Sequence, residues 1–167
     1  MTKTLYLVRH AKSSWEDSSL ADYDRPLNKR GKRDAPEMGR RLAKQNIRPD
    51  QVISSPAKRA KKTASAMAEM VGYPPKKIQW EKNLYHALPE TLLEYIHQAP
   101  ADCESLMLVG HNPGLTDFYN ALSEEEIENI VTAGVVCLTF DTDSWHEITL
   151  NENGTLAWYD YPKRKVS

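Results

Sequence analysis

This chain is poor in cysteine, lacks long apolar runs and carries almost no net charge. Cys103 and Cys137 stand far apart and have no metal-type spacing. They read as small buried hydrophobes in a reducing compartment and not as a disulfide framework. The apolar run at the start, Leu5 to Val8, stops at Arg9. That is too short for a secretory signal, and no other segment is long enough to span a bilayer. The formal charge of -1 argues against a protein built to hold nucleic acid. We therefore expect a cytoplasmic monomer that engages neither membrane nor nucleic acid.

What is present suits a folded enzyme. The 167 residues are 40% hydrophobic and 27% charged, enough apolar material for one core. A single domain over 1–167 is expected, since there is no internal repeat, low-complexity tract or composition break.

Leu5 to Val8 reads as a buried strand. A polar, turn-rich stretch from Ser13 to Pro26 follows, long enough to suggest function. Ala35, Met38, Leu42 and Ala43 recur at helical spacing between Asn28 and about Gln45, with Asn28 as cap. Val52 to Ser54 reads as a second strand. Ala60, Ala64, Met67, Ala68 and Val71 then form an amphipathic helix from Ala57 to Val71, closed by Gly72. Ile78 to Trp80 suggests a short strand, Pro89 to His97 a helix, and Leu106 to Val109 another buried strand, with a helix starting near Gly114.

The last third differs. Val135 to Phe140 and Thr155 to Tyr161 are rich in β-branched and aromatic residues, with Asn153-Gly154 as a turn signal between them. The fold class expected is α/β: a three-layer sandwich with a mixed, mostly parallel central sheet and antiparallel edge strands.

Three strand-to-helix junctions concentrate the chemistry. One strand runs into Arg9-His10, another into Gly110-His111, and a third leads into a helix with Arg59 in its first turn. In an open α/β sheet, ligands bind beyond the carboxyl ends of the strands. Parallel neighbours would bring two histidines and two arginines into that crevice. Arginine's rigid fork matches phosphate oxygens, and a helix N-terminus near Ala57 or Gly114 adds donors. A neutral histidine attacks phosphorus, and the guanidinium groups of Arg9 and Arg59 disfavour the protonated ring of His10. Clamping the charge of the transferring group is most of the work.

These stretches resemble a known family. Leu7-Val8-Arg9-His10-Ala11, Ser54-Ser55-Pro56-Ala57-Lys58-Arg59-Ala60 and Val109-Gly110-His111-Asn112-Pro113 are similar, in order, to the three motifs of the histidine phosphatase (phosphoglycerate mutase-like) superfamily. Ala11-Lys12-Ser13, Asp24-Arg25-Pro26-Leu27-Asn28 to Gly31, and Leu84-Tyr85-His86-Ala87 resemble its phosphohistidine phosphatase, SixA-type branch. The resemblance implies a phosphoglycerate mutase-like fold and transient phosphorylation of His10. It also implies that Arg9, Arg59 and His111 bind and polarise the phosphoryl group, without metal or organic cofactor.

Two positions depart from the family. Glu16 stands where many relatives place a phosphate-contacting asparagine. The usual acidic proton donor has no clear counterpart, although Glu81, His86 and Glu90 are available. Imidazole, with a pKa of about 6.5, leaves far more easily than an alkoxide, so a missing acid favours an N-phosphorylated substrate.

Other residues keep two readings. Ser13 either donates to phosphate or caps a turn. His86 is either a substrate contact or a loop histidine. Arg25 either faces an acidic partner or pins its loop. Lys58, Lys61 and Lys62 read as solvent-facing, and His97 and His146 as ordinary. The expected substrate is phosphohistidine on a protein, such as a phosphotransfer domain or phosphocarrier. A phosphatase of small phosphate esters is the alternative, and a non-catalytic phosphoprotein-binding module ranks last.

Overall fold

The computed structural model describes residues 1–151 and 153–165. The elements follow in chain order. They are β1 (Thr2–Arg9), α1 (Lys29–Lys44), β2 (Gln51–Ser54), α2 (Lys58–Met70), β3 (Gln79–Trp80), α3 (Pro89–His97), β4 (Ser105–Gly110), α4 (Gly114–Leu122), β5 (Val135–Asp141) and β6 (Thr155–Asp160). One sheet has the order β3-β2-β4-β1-β5-β6. β1, β4, β2 and β3 pair in parallel, whereas β5 is antiparallel to both β1 and β6. This is the mixed sheet with an antiparallel edge that the sequence pattern predicts.

Alternation along the strands builds the layers, because successive side chains point to opposite faces. Tyr6 and Val8 of β1 join Val52, Met107 and Val109 under α1 and α2, through Ala35, Met38, Ala60, Ala64 and Met67. Leu5 and Leu7 face the other way, with Ile53, Leu106 and Leu108, under α3 and α4 through Leu92, Ile96, Leu115 and Phe118. No helix among the described residues is long and apolar enough to cross a membrane.

Local signals operate as read. The Asn28 side chain accepts from the Gly31 amide and caps α1. Gly72, at φ +77, closes α2 in a conformation that suits glycine. Lys58, Lys61 and Lys62 are exposed while Arg59 between them is buried.

Asn153-Gly154 lies between the antiparallel pair β5 and β6, directly before β6, as the turn signal predicts. The longer connection also carries a short 3-10 turn at Trp145–Glu147, where Trp145 is buried and its Nε1 donates to the Cys103 carbonyl at 2.7 Å. Gly154 donates from its amide to Leu122 at 2.7 Å, where an added Cβ would meet the Phe140 ring and the Leu122 carbonyl.

Candidate active site

The three junctions do meet. Beyond its strand, the His10 amide donates to the Gly110 carbonyl at 3.2 Å, and the Ser55 amide to the Val109 carbonyl at 3.0 Å. From the other side, the Ala133 amide donates to the carbonyls of Arg9 and His10. The pocket floor is thus continuous hydrogen-bonded backbone.

His10 is buried, with Nδ1 at 2.8 Å from the Ala11 carbonyl. A carbonyl only accepts, so Nδ1 carries the proton and the lone pair lies on Nε2. That nitrogen faces the Nε of Arg59 at 3.4 Å. Burial, opposed by the Ala11 carbonyl and reinforced by Arg59, Arg9 and Arg25, lowers the ring's pKa to about 4. At neutral pH the ring is therefore uncharged, with its lone pair on Nε2. The arginines act in the direction expected from sequence, but desolvation is the larger cause.

His111 lies beside it, ring centroids 5.2 Å apart. Its Nε2 is 2.8 Å from Ser55 Oγ, which already accepts from the Ala57 amide. The contact pairs Nε2 with the serine hydroxyl and leaves Nδ1 as the ring nitrogen without a hydrogen-bond partner. Burial, and then the nearby His10, Arg59 and His86, lower its pKa to about 3. Among the described residues, two buried side-chain nitrogens have no partner: Nδ1 of His111 and Nε of Arg9. Buried polar nitrogens without a partner are costly. The other end of Arg9 is held by the Ile130 carbonyl at 3.0 Å.

Arg59 reaches the site from the first turn of α2, its Nη1 and Nη2 donating to the backbone oxygen and the Oδ2 of Asp22. Thr63 ties this helix to the nucleophile's loop, since its Oγ1 accepts from the Ala11 amide and donates to the Arg59 carbonyl. Asp22 also accepts from Tyr85 Oη at 2.5 Å, and His86 Nε2 lies 3.7 Å from it. The Tyr85 bond, with those from Arg25 and Arg59, pushes the Asp22 carboxyl well below the usual carboxylate range.

The remaining predicted residues spread out. Arg25 is buried and spends its donors on Ser13 Oγ, the Ser14 carbonyl and Asp22 Oδ1, with Trp15 stacked on its guanidinium. Of its two readings, the loop pin describes these contacts, and Ser13 is its partner. His86 packs on Tyr85 at the pocket mouth, at φ 56. Glu16 is exposed, Glu90 lies in the first turn of α3, and Glu81 accepts from Gln79 and Tyr95. Asp22, Ser55, Thr63 and Tyr85 were not singled out from sequence. The only signal for Asp22 was a carboxylate in a long polar loop.

A mixed α/β sandwich with a neutral histidine among arginines suits the handling of phosphoryl groups. A profile of the histidine phosphatase superfamily, branch 1, matches residues 5–84, and the chain belongs to that superfamily. An uncharacterised chloroplastic protein of Arabidopsis thaliana is 30% identical over 155 residues, 88% of this chain and 71% of its own. A 2,3-bisphosphoglycerate-dependent phosphoglycerate mutase of an Arthrobacter species is 31% identical over 150 residues, covering 75% of this chain and 60% of the mutase. Among solved structures, a protein assigned as the phosphohistidine phosphatase SixA of Agrobacterium tumefaciens superposes with a TM-score of 0.80 at 29% identity. The match covers 96% of this chain and 98% of that one.

Proposed function

We propose that this chain is a phosphatase that hydrolyses phosphohistidine on proteins through a covalent intermediate on His10. Superfamily membership and the SixA-like fold support the phosphatase class. The observation that carries the finer reading is the state of the acid. The carboxylate beside the site, Asp22, is held ionised by Tyr85, Arg25 and Arg59 and has no proton to give. An alkoxide would leave unaided at great cost, whereas imidazole leaves readily.

In this reading Nε2 of His10 attacks phosphorus while Arg9, Arg59 and His111 hold the equatorial oxygens. The Ala11 carbonyl stabilises the positive charge that develops on the phosphorylated ring. Water then releases orthophosphate and restores His10. Exposed apolar side chains on segments flanking the pocket, Trp15 at 74% and Leu88 at 67%, favour a protein substrate such as a phosphotransfer domain or phosphocarrier.

The test compares wild type with His10→Ala on a phosphohistidine-bearing phosphocarrier and on a panel of phosphate esters. Faster release from phosphohistidine, abolished in the variant, supports the proposal. A preferred ester would reassign the chain to small phosphate esters, a reading to which the mutase relative lends weight. Hydrolysis of neither class removes the nucleophile assignment.

A further inference from the structure

Asp22 places a second, more specific demand on the substrate. Its carboxylate offers about four acceptor positions. Oδ2 takes Arg59 Nη2 at 2.9 Å and Tyr85 Oη at 2.5 Å, and Oδ1 takes Arg25 Nη1 at 2.9 Å. One position on Oδ1 remains, and the side chain is 41% exposed, whereas Arg59 behind it is buried. The open side therefore faces the direction from which a substrate must come. Arg59 joins this carboxylate to the attacking atom, because the same guanidinium presents Nε to His10 Nε2 at 3.4 Å. Asp22 and the nucleophile thus stand at opposite edges of one rigid planar group.

We propose that Asp22 is a specificity-determining residue that accepts a hydrogen bond from the ring N–H of a protonated, phosphoimidazolium-form substrate and so selects phosphohistidine over phosphate esters. This inference rests on the phosphatase reading above and adds to it the group that recognises the leaving ring.

The chemistry is symmetric about the transferring group. The His10 ring carries its proton on Nδ1 against the Ala11 carbonyl, and its Nε2 lone pair forms the new N–P bond. The substrate's N–P bond breaks, and its electron pair returns to the substrate ring nitrogen. The substrate ring enters as the phosphoimidazolium cation, and the proton on its other nitrogen stays where it is, held by Asp22. The positive charge passes to the His10 ring with the phosphoryl group. A neutral imidazole departs and no proton changes hands. Each ring has an acceptor on the nitrogen remote from phosphorus: the Ala11 carbonyl for the enzyme's ring, the Asp22 carboxylate for the substrate's. An ester offers no N–H to Asp22. Its departing oxygen gains negative charge near a fixed carboxylate, which repels it.

The experiment measures kcat/KM of wild type and Asp22→Asn on a phosphohistidine-bearing phosphocarrier and on p-nitrophenyl phosphate. The expected result is a fall of about ten- to a hundredfold in the ratio of the two constants, the size of one charge-assisted hydrogen bond. Equal losses on both substrates would make Asp22 a support for Arg59 alone and overturn the proposal. A second comparison needs no variant: wild type acting on phosphoimidazole in its protonated form and on the corresponding N-methylated cation, each relative to its uncatalysed rate. At least tenfold preference for the ring bearing N–H supports the proposal, and similar acceleration of both overturns it. A wild type that prefers esters from the outset would instead defeat the phosphohistidine reading itself, before Asp22 is altered.

Discussion

Ser55 Oγ stands 2.8 Å from Nε2 of His111, and this contact fixes the orientation of the ring. Ser55→Ala removes this partner and frees the ring to turn. We expect kcat to fall about ten- to a hundredfold, as for loss of one oxyanion donor, with the fold retained. Ring nitrogen shifts of His111 by NMR report the change. An unchanged kcat together with unchanged shifts would show that Ser55 does not hold the ring.

The two site histidines should also set the acid stability of the protein. Burial lowers His10 to about 4 and His111 to about 3, against about 6.5 in an unfolded chain. Between those values the unfolded chain binds more protons than the native one. Stability contributed by the neutral rings is therefore complete above about pH 6.5 and is lost as pH falls toward 4 and below. Histidine proton NMR should show both rings still neutral at pH 5, and chemical denaturation should weaken across the same window. Titration of either ring near 6.5 would contradict this.

Gly31 is required by the backbone beside the nucleophile. A Cβ there would lie 2.1 Å from the Lys12 carbonyl oxygen, which already accepts from the Asn28 amide. Gly31→Ala should cost about 2 kcal/mol or more by overpacking and should slow turnover, because Lys12 follows Ala11 directly. At Gly72 nothing lies within 4 Å, so Gly72→Ala should cost only about 1 kcal/mol from its positive φ. Urea unfolding of the two variants side by side reads the difference, and equal costs would refute the steric account.

Asn112 should matter for substrate binding without touching substrate. Its amide donates to Asn129 and to the Ile130 carbonyl, and its oxygen accepts from the amide and hydroxyl of Thr116. The Ile130 carbonyl is also the acceptor that holds Arg9. Asn112→Ala should raise KM several-fold with a smaller change in kcat, the mark of a displaced binding group. A loss confined to kcat would place the effect on chemistry instead.

Much of this was legible in the chain because its signals are local. Leu5 to Val8 and Leu106 to Val109 are apolar on both faces, as parallel buried strands must be, and each runs straight into a histidine. Asn28 caps a helix through its own nearest amides, and Arg59 is buried between exposed lysines because helical spacing turns it inward. The readings of the loop residues were less sharp. Arg25 and Ser13 satisfy one another, and only the folded loop shows it. The Asn153-Gly154 signal marks the end of the connection before β6, but the burial of Trp145 within it is seen only in the fold.

The amino-acid sequence by itself determined the strands, the helices, the candidate nucleophile and the charged residues around it, since periodicity and motif order are properties of neighbours along the chain. Tertiary structure alone decided the protonation and the partners. His10 meets Arg59 across 49 positions, His111 meets Ser55 across 56, and Asp22 meets Tyr85 across 63. A proton's position depends on which donor or acceptor lies within hydrogen-bonding reach, and burial depends on what packs above. Neither is written in the order of residues until the sheet brings its strand ends together.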